Sequence, residues 1–543
     1  MTVGTNYEKK QRGPNMKKRM VILGICLTLV FGLTGVRIAQ ISLFDVYKTS
    51  SYSASGYSVS VDRPRGTVYD RNLEPITNRE VKYKAVLTAT PEVTSELYRC
   101  FSEQRAEEAV ERLRENKPVT LEVPEDFSAK GAAVFKIYDK NPVYIPAVQL
   151  VGYLDSEELH GMSGLEKIFD DLLFSSAQTT ASVAANAAGG ALLGVEPQKN
   201  EQIEEYKKGV VTTLDIDVQK AAEQALSGVK KGAVAVTKTA GGEVLALASA
   251  PSFSAKNIGS ALDDPDSPFL NRAICSYNLG SVFKICVAAA ALEAGISPEE
   301  KYCCTGSIDC GNVFCCHKKE GHGEIDMSEA FAKSCNTYFI SLAGKVGADA
   351  IYDFACSAGL GGEQTIAGNM TQTGSLGSLF DIKESASALA NFAIGQGNIM
   401  VTPLQVSLLV NSVANGGVYF PPFLVSGFCG ADGQMEYTKG TEGTRIMSKQ
   451  TAVILSKMMT RVFEDGTAAE SAPERGFFGG KTATAETGWT NADGSLGKNA
   501  WFAGFYEFEG ERYSVAVLVE GGESGAADAV PVFKAFCDAL SGA

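Results

Sequence analysis

Ser281 and Lys284 stand three residues apart at the head of an apolar, alanine-rich run from Ile285 to Ala294. A helix turns once in about 3.6 residues, so both side chains fall on one face and an amine can sit beside a hydroxyl. A serine hydroxyl is a poor nucleophile at neutral pH and needs a base within hydrogen-bond reach. A lysine serves once burial or a neighbouring cation lowers its pKa enough to leave it neutral part of the time. Taken alone, the spacing fits equally an N-capping serine followed by a surface lysine. A Ser-His-Asp arrangement is disfavoured, because His160, His317 and His322 are the 3 histidines and none lies in a motif.

Two further motifs follow in order, Ser334-Cys-Asn336 and Gly480-Lys-Thr-Ala-Thr-Ala485. Together they resemble the SxxK, SxN and KTG set of penicillin-binding proteins and serine beta-lactamases. Arg65-Gly-Thr-Val-Tyr-Asp-Arg71 resembles the RGxIxDRN segment of class B penicillin-binding proteins, and Ser163-Gly-Leu-Glu166 resembles their SGLE element. Thr213 to Gln219, Asn271-Arg-Ala273, Gly395-Gln-Gly397, Thr402-Pro-Leu-Gln405 and Ala414-Asn-Gly-Gly417 also fall in family order. The chain thus resembles a class B penicillin-binding protein, a membrane-anchored peptidoglycan D,D-transpeptidase.

That resemblance implies an α+β chain: a penicilloyl-serine transferase domain, preceded by an extracytoplasmic pedestal domain and a single N-terminal transmembrane helix. It implies a nucleophile at Ser281, a base at Lys284, a proton relay at Ser334 and an orienting amide at Asn336. Lys481 would attract the substrate's terminal carboxylate, with the Thr482 and Thr484 hydroxyls bonding it and Ala483 between them on the same strand. The backbone N–H groups of Ser281 and Thr484 would form the oxyanion hole. The implied partners are peptidoglycan stem peptides ending in D-Ala-D-Ala, beta-lactams, and a membrane-embedded glycosyltransferase of the shape, elongation, division and sporulation type. No cofactor and no metal are implied. Leu279 stands where members usually have proline and Ala483 where KTG has glycine, which points to altered acylation rates. A catalytically impaired scaffold or beta-lactam sensor is the alternative, and a beta-lactamase stands behind both.

The elements that must position these residues are partly visible. Lys9, Lys10, Arg12, Lys17, Lys18 and Arg19 precede Met20 to Leu43, in which Arg37 is the one charge. At about 1.5 Å per residue that stretch reaches roughly 36 Å, enough for a hydrocarbon core of about 30 Å. The basic flank predicts a cytoplasmic N-terminus and an exported remainder. The expected divisions are 1–19 cytoplasmic, 20–43 anchor, 44–205 pedestal and 206–543 transpeptidase, with a flexible connection near 176–208 where Ala, Ser and Gly accumulate. Strands are predicted at Ala233 to Val236, Glu243 to Ala248, Ala500 to Phe505 and Tyr513 to Val519, with a closing helix over Asp528 to Leu540. The net charge of −14 and the lack of a second basic block argue against nucleic acid as a partner.

Of 13 cysteines, Cys303, Cys304, Cys310, Cys315 and Cys316 crowd one segment closed by His317 and His322. Without a clean pair of CxxC knuckles, the spacing favours a loop with disulfides or free thiols over a zinc site. Cys335, inside its motif, reads as a small buried residue.

Overall fold

The computed structural model describes residues 16–43, 56–157, 159–186, 190–192, 195–490, 494 and 496–542. Lys9, Lys10 and Arg12 lie outside the described residues. Met16–Leu43 forms one helix of 28 residues, and an 18-residue stretch within Lys18–Ala39 has a mean hydropathy of 2.2 with none of it buried. It is long and apolar enough to cross a membrane.

The rest divides into two compact units, and the division cuts across the segment expected at 44–205. One unit takes in residues up to Asp62, 82–137 and 178–201, and the other takes in 63–81, 138–177 and everything from Gln202 onward. In the first unit, Val81–Leu87 lies between Val119–Val123 and Ala132–Tyr138 in a three-stranded sheet. The charge-patterned helix Glu103–Arg114 and its neighbour Pro91–Cys100 bury Leu97, Ala106 and Leu113 against Leu87 and Val119. The stretch near 176–208, expected as a flexible connection, contains ordered strands instead. Thr179–Ala184 pairs antiparallel with Gly56–Asp62 on one side and Gln198–Asn200 on the other. Its residues alternate, with Ala181 and Val183 buried and Ser182 exposed, so small side chains serve a half-buried strand here.

The second unit is built on a five-stranded antiparallel sheet in the order Val244–Ala250, Gly232–Lys238, Glu511–Glu520, Leu496–Phe508, Phe477–Thr490. Successive residues of a strand point to opposite faces. Accordingly Ala233 and Ala235 join the apolar cluster that holds Leu404 and Leu408, while Val234 and Val236 join the one that holds Val218 and Ala222. Helix Pro403–Ala414 is buried along its whole length. A capping box starts it: the Thr402 hydroxyl accepts from Gln405 N at 3.0 Å, and Thr402 N donates to Gln405 Oε1 at 3.1 Å. The closing helix runs Val530–Ser541, two residues later than the sequence predicts, because Gly525–Ala529 forms a separate wider turn before it.

Two motifs of the resemblance, far apart in sequence, meet within this unit. Arg65, 2% exposed, donates from Nε to Glu166 Oε2 at 2.7 Å and reaches Asp170 Oδ1 at 2.8 Å. Its Nη1 also donates to the Leu159 carbonyl at 2.9 Å. Burial pushes the Glu166 carboxyl up, and the guanidinium opposes that. His160 lies 2.6 Å from Asp170 and stacks on Phe174, so it belongs to this network and to no nucleophile. Removing one member of a buried ion pair leaves the other charge desolvated and uncompensated. Glu166→Ala is therefore expected to lower stability by about 3–5 kcal/mol, read from urea denaturation of the detergent-solubilised chain. A loss under about 1 kcal/mol would place the pair among ordinary surface bridges.

Candidate active site

The turn that carries Ser281 is fixed from several sides. Tyr277–Asn278 pairs antiparallel with Met400–Val401, and Trp501 Nε1 donates to the Asn278 carbonyl at 2.8 Å. Gly280 has φ +65° and donates to the Gly395 carbonyl at 2.9 Å. A Cβ on Gly280 would stand 3.0 Å from the Thr484 carbonyl, and one on Gly395 only 1.9 Å from the Gly280 carbonyl, so both positions require glycine. Leu279, in the place where family members usually have proline, is wholly buried in the core. Gly280–Phe283 is a 3₁₀ turn and the α-helix proper begins at Lys284. The expected single α-helical face is thus replaced by a tighter turn in which residues i and i+3 eclipse, which still stacks Ser281 over Lys284.

Lys284 is completely buried, and its ammonium donates to the Asn336 Oδ1 at 2.7 Å and the Ser334 carbonyl at 2.9 Å, with Ser334 Oγ at 3.3 Å. The face of Phe339 lies 5.6 Å away. Burial pulls the Lys284 pKa down to about 8, against smaller opposing contributions from Cys335 and Cys316. Ser334 adopts the left-handed conformation at φ +51°, uncommon for a residue with a side chain. Asn336 opens the helix Asn336–Val346, and its Nδ2 donates to the Cys315 carbonyl at 3.3 Å.

Lys481, on the strand Phe477–Thr490, is also completely buried, and its Nζ donates to the Thr482 carbonyl at 3.0 Å with the Phe331 ring 5.7 Å away. Burial, reinforced by the charge of Lys284, pushes its pKa well below the ordinary lysine value. Among the described residues neither lysine forms an ion pair with an acid. Thr482 shares a hydrogen bond with the Thr467 hydroxyl, and Thr484 Oγ1 accepts from Gly525 N at 3.3 Å. Ala483, which stands where the KTG motif has glycine, is 4% exposed and packs into the hydrophobic core.

Ser281, Ser334, Asn336, Thr482, Ala483 and Thr484 line one cleft of about 330 Å³. Lys284 bonds to two of these lining residues, Ser334 and Asn336, and Lys481 to a third, Thr482. Sequence reasoning missed His317, Thr467, Ser524 and Gly525, which line the same cleft. A Cβ on Gly525 would fall 2.5 Å from the Ala483 carbonyl and 2.4 Å from that of Trp501, so a glycine between a strand and the closing helix was the available signal. A larger cavity of about 540 Å³ lies at Thr239, Asn415 and Arg512, beside the Ala414-Asn-Gly-Gly417 motif, and is lined by none of the residues of the Ser281, Ser334 and Lys481 motifs. A serine, two lysines of depressed pKa and two hydroxyls on a strand edge form a set suited to acyl transfer on a substrate with a carboxylate end.

Residues 232–538 match the penicillin binding protein transpeptidase domain family. The peptidoglycan D,D-transpeptidase PbpA of Mycobacterium tuberculosis is 31% identical over 366 residues, which cover 61% of this chain and 72% of that protein. The ceftriaxone acyl-enzyme complex of penicillin-binding protein A from M. tuberculosis superposes with a TM-score of 0.64 at 23% identity, covering 90% of this chain and 99% of that one. A chain from a peptidoglycan synthase complex that coordinates polymerization and crosslinking gives 0.68 at 23% identity, covering 96% and 98%. Three motifs gathered around one cleft, a domain match over more than half the chain and this likeness to PbpA agree that the chain belongs to the penicillin-binding protein transpeptidases, as a class B member.

Proposed function

We propose that this chain is a peptidoglycan D,D-transpeptidase that acylates Ser281 with a stem peptide, releases the terminal D-Ala and passes the acyl group to a neighbouring amine. The observation that carries this reading is the Lys284 ammonium, fully buried and 3.3 Å from Ser334 Oγ, one 3₁₀ turn after Ser281. In the first half-reaction Ser281 Oγ bonds to the carbonyl carbon of the penultimate D-Ala as its proton passes to the Lys284 amine. The backbone N–H groups of Ser281 and Thr484 stabilise the oxyanion, each such donor being worth about 3 kcal/mol. The C–N bond then breaks, and Ser334 relays a proton from Lys284 to the departing D-Ala nitrogen. An acceptor amine reverses the sequence and forms the cross-link. Asn336 holds Lys284 in place through the 2.7 Å bond, and Lys481 with Thr482 and Thr484 draws in the substrate carboxylate.

A beta-lactam presents the same carbonyl without a leaving group that diffuses away, so it would remain on Ser281. The basic residues before the apolar helix favour a cytoplasmic N-terminus and an exported catalytic unit. Likeness to a chain of a synthase complex supports a membrane-embedded glycosyltransferase as partner. Co-purification of such an enzyme with the detergent-extracted chain tests that pairing, and its consistent absence would count against it.

Fluorescent penicillin followed by mass spectrometry tests the assignment of the nucleophile. Ser281→Ala is expected to abolish the adduct while changing stability by no more than about 0.5 kcal/mol. An adduct on another residue would overturn the assignment, and an adduct that clears rapidly would favour a beta-lactamase. A lasting adduct without cross-linked product from a lipid-linked pentapeptide would favour a sensor.

The depressed pKa of Lys284 sets a pH dependence. The neutral amine is the form that accepts the serine proton, and below a pKa of about 8 its fraction falls tenfold for each pH unit. Acylation is therefore expected to rise with pH and level off above about 8, with Lys284→Met orders of magnitude slower at every pH. A flat profile in the native chain from pH 6 to 9 would remove Lys284 from the role of base.

A further inference from the structure

Four side chains outside the catalytic set converge beside the Ser334–Asn336 segment. Cys304 ends the strand Tyr302–Cys304, which pairs antiparallel with Gly323–Ile325, and His322 immediately precedes that second strand. Cys316 follows the strand Val313–Cys315, and Cys335 is the N-cap of the helix Asn336–Val346. His322 Nδ1 lies 3.5 Å from the sulfurs of both Cys304 and Cys316, and the Cys316 and Cys335 sulfurs are 3.9 Å apart. All four donor atoms fall within 4.8 Å of one another. A tetrahedral zinc, with Zn–S of about 2.3 Å and Zn–N of about 2.0–2.1 Å, spaces its ligands by about 3.5–3.8 Å. Three of the observed separations lie at or close to those edges.

Of the disulfides or free thiols expected for this loop, the structure has free thiols: Cys304 and Cys316, with Cys335 buried beside them, are unpaired, and they are 2%, 3% and 0% exposed. A disulfide would use two of the three sulfurs and leave the third beside the imidazole. The surroundings are built rather than incidental. Gly306 and Gly321 take φ of +95° and +81° and let the loop close on itself, a Cβ on either falling within 2.1 Å of the Lys319 or Cys304 carbonyl. Thr337 Oγ1 donates to Cys304 Sγ at 3.1 Å and lies 3.4 Å from Cys335 Sγ, the kind of outer hydrogen bond that orients metal ligands.

We propose that Cys304, Cys316, His322 and Cys335 form a closed structural metal centre that binds zinc and fixes the Ser334–Asn336 segment. Three sulfurs and an imidazole suit zinc and not magnesium or calcium, which take oxygen ligands. Four protein donors leave no open position, so the ion is structural. Binding releases three thiol protons to solvent and leaves the metal's oxidation state unchanged. The centre reaches the active site through covalent neighbours: Cys335 stands between Ser334 and Asn336, the residue before Cys316 accepts from Asn336, and the residue after it, His317, lines the cleft. The four ligands are positioning residues.

The experiment is elemental analysis of the full-length chain, extracted in detergent from zinc-supplemented cells without chelators, with thiols mapped by alkylation and mass spectrometry. About one zinc per chain is expected, with Cys304, Cys316 and Cys335 protected from alkylation until a mercurial displaces the metal. Cobalt reconstitution should give the visible bands and thiolate charge transfer of a tetrahedral sulfur-rich site. Cys316→Ser and His322→Asn should lose the metal, whereas Cys303→Ser and Cys310→Ser should keep it. Thr337→Val retains every ligand and is expected to weaken zinc binding about 10- to 100-fold. The native chain's own metal content decides between the outcomes even where a ligand variant fails to fold. A native chain that stays metal-free after reconstitution under reducing conditions would overturn the proposal. So would a disulfide among these three cysteines in the freshly isolated protein, or loss of zinc from Cys303→Ser as complete as from Cys316→Ser.

Discussion

Two ammonium groups, Lys284 and Lys481, are buried with no carboxylate partner among the described residues, and the candidate active site is organised around that constraint. Taking an ion out of water carries an effective penalty of several kcal/mol. A neighbouring acid would relieve it but would also hold the proton on the amine, raising the pKa instead of lowering it. The site uses neutral acceptors: the Ser334 carbonyl and Asn336 amide for Lys284, the Thr482 carbonyl for Lys481, and the faces of Phe339 and Phe331. Such dipoles keep each lysine in place while leaving its proton easy to remove. Ser334 takes a left-handed backbone at the same turn that presents its carbonyl to Lys284, the kind of local strain found where geometry matters more than comfort.

The packing that makes this possible depends on close backbone approach. Gly280 against the Thr484 carbonyl, Gly395 against the Gly280 carbonyl and Gly525 against Ala483 bring the nucleophile turn, a loop and the closing segment to the strand edge. Helix Pro403–Ala414, buried on every side, supplies the rigid interior on which the sheet rests. A substitution at any of these glycines would displace backbone that lines or supports the cleft, without changing any of its side chains.

Much of this site was legible in the sequence because its chemistry is carried by short motifs, and the strands at Ala233, Glu243, Ala500 and Tyr513 were legible because they are continuous apolar runs. Three features were not. The 3₁₀ geometry of Ser281 is invisible to a spacing argument, since residues three apart meet in either helix. The alanine- and serine-rich strand at Thr179–Ala184 carries the composition of a linker, and only its partners Gly56–Asp62 and Gln198–Asn200 make it a strand. The set of three cysteines and one histidine has no regular spacing because its members come from a strand end, two loop positions and a helix cap. Only tertiary structure brings Cys335 to Cys316. Arg65 and Glu166 show the converse: each lies in a family motif, and the fold supplies the reason, a buried ion pair.

The order of the strands in space also has a consequence for how the chain is made. Of the five strands of the catalytic sheet, Glu511–Glu520 emerges last, yet it occupies the centre, between Gly232–Lys238 and Leu496–Phe508. The early hairpin must therefore wait, half its hydrogen-bonding edge unmet, while some 270 residues are synthesised behind it, a wait set by chain order alone. Such long-range closure is slow and leaves an open strand edge available to other chains in the meantime. Until that last strand arrives, the half-built sheet is open to mispairing, before the molecule has any enzymatic competence at all.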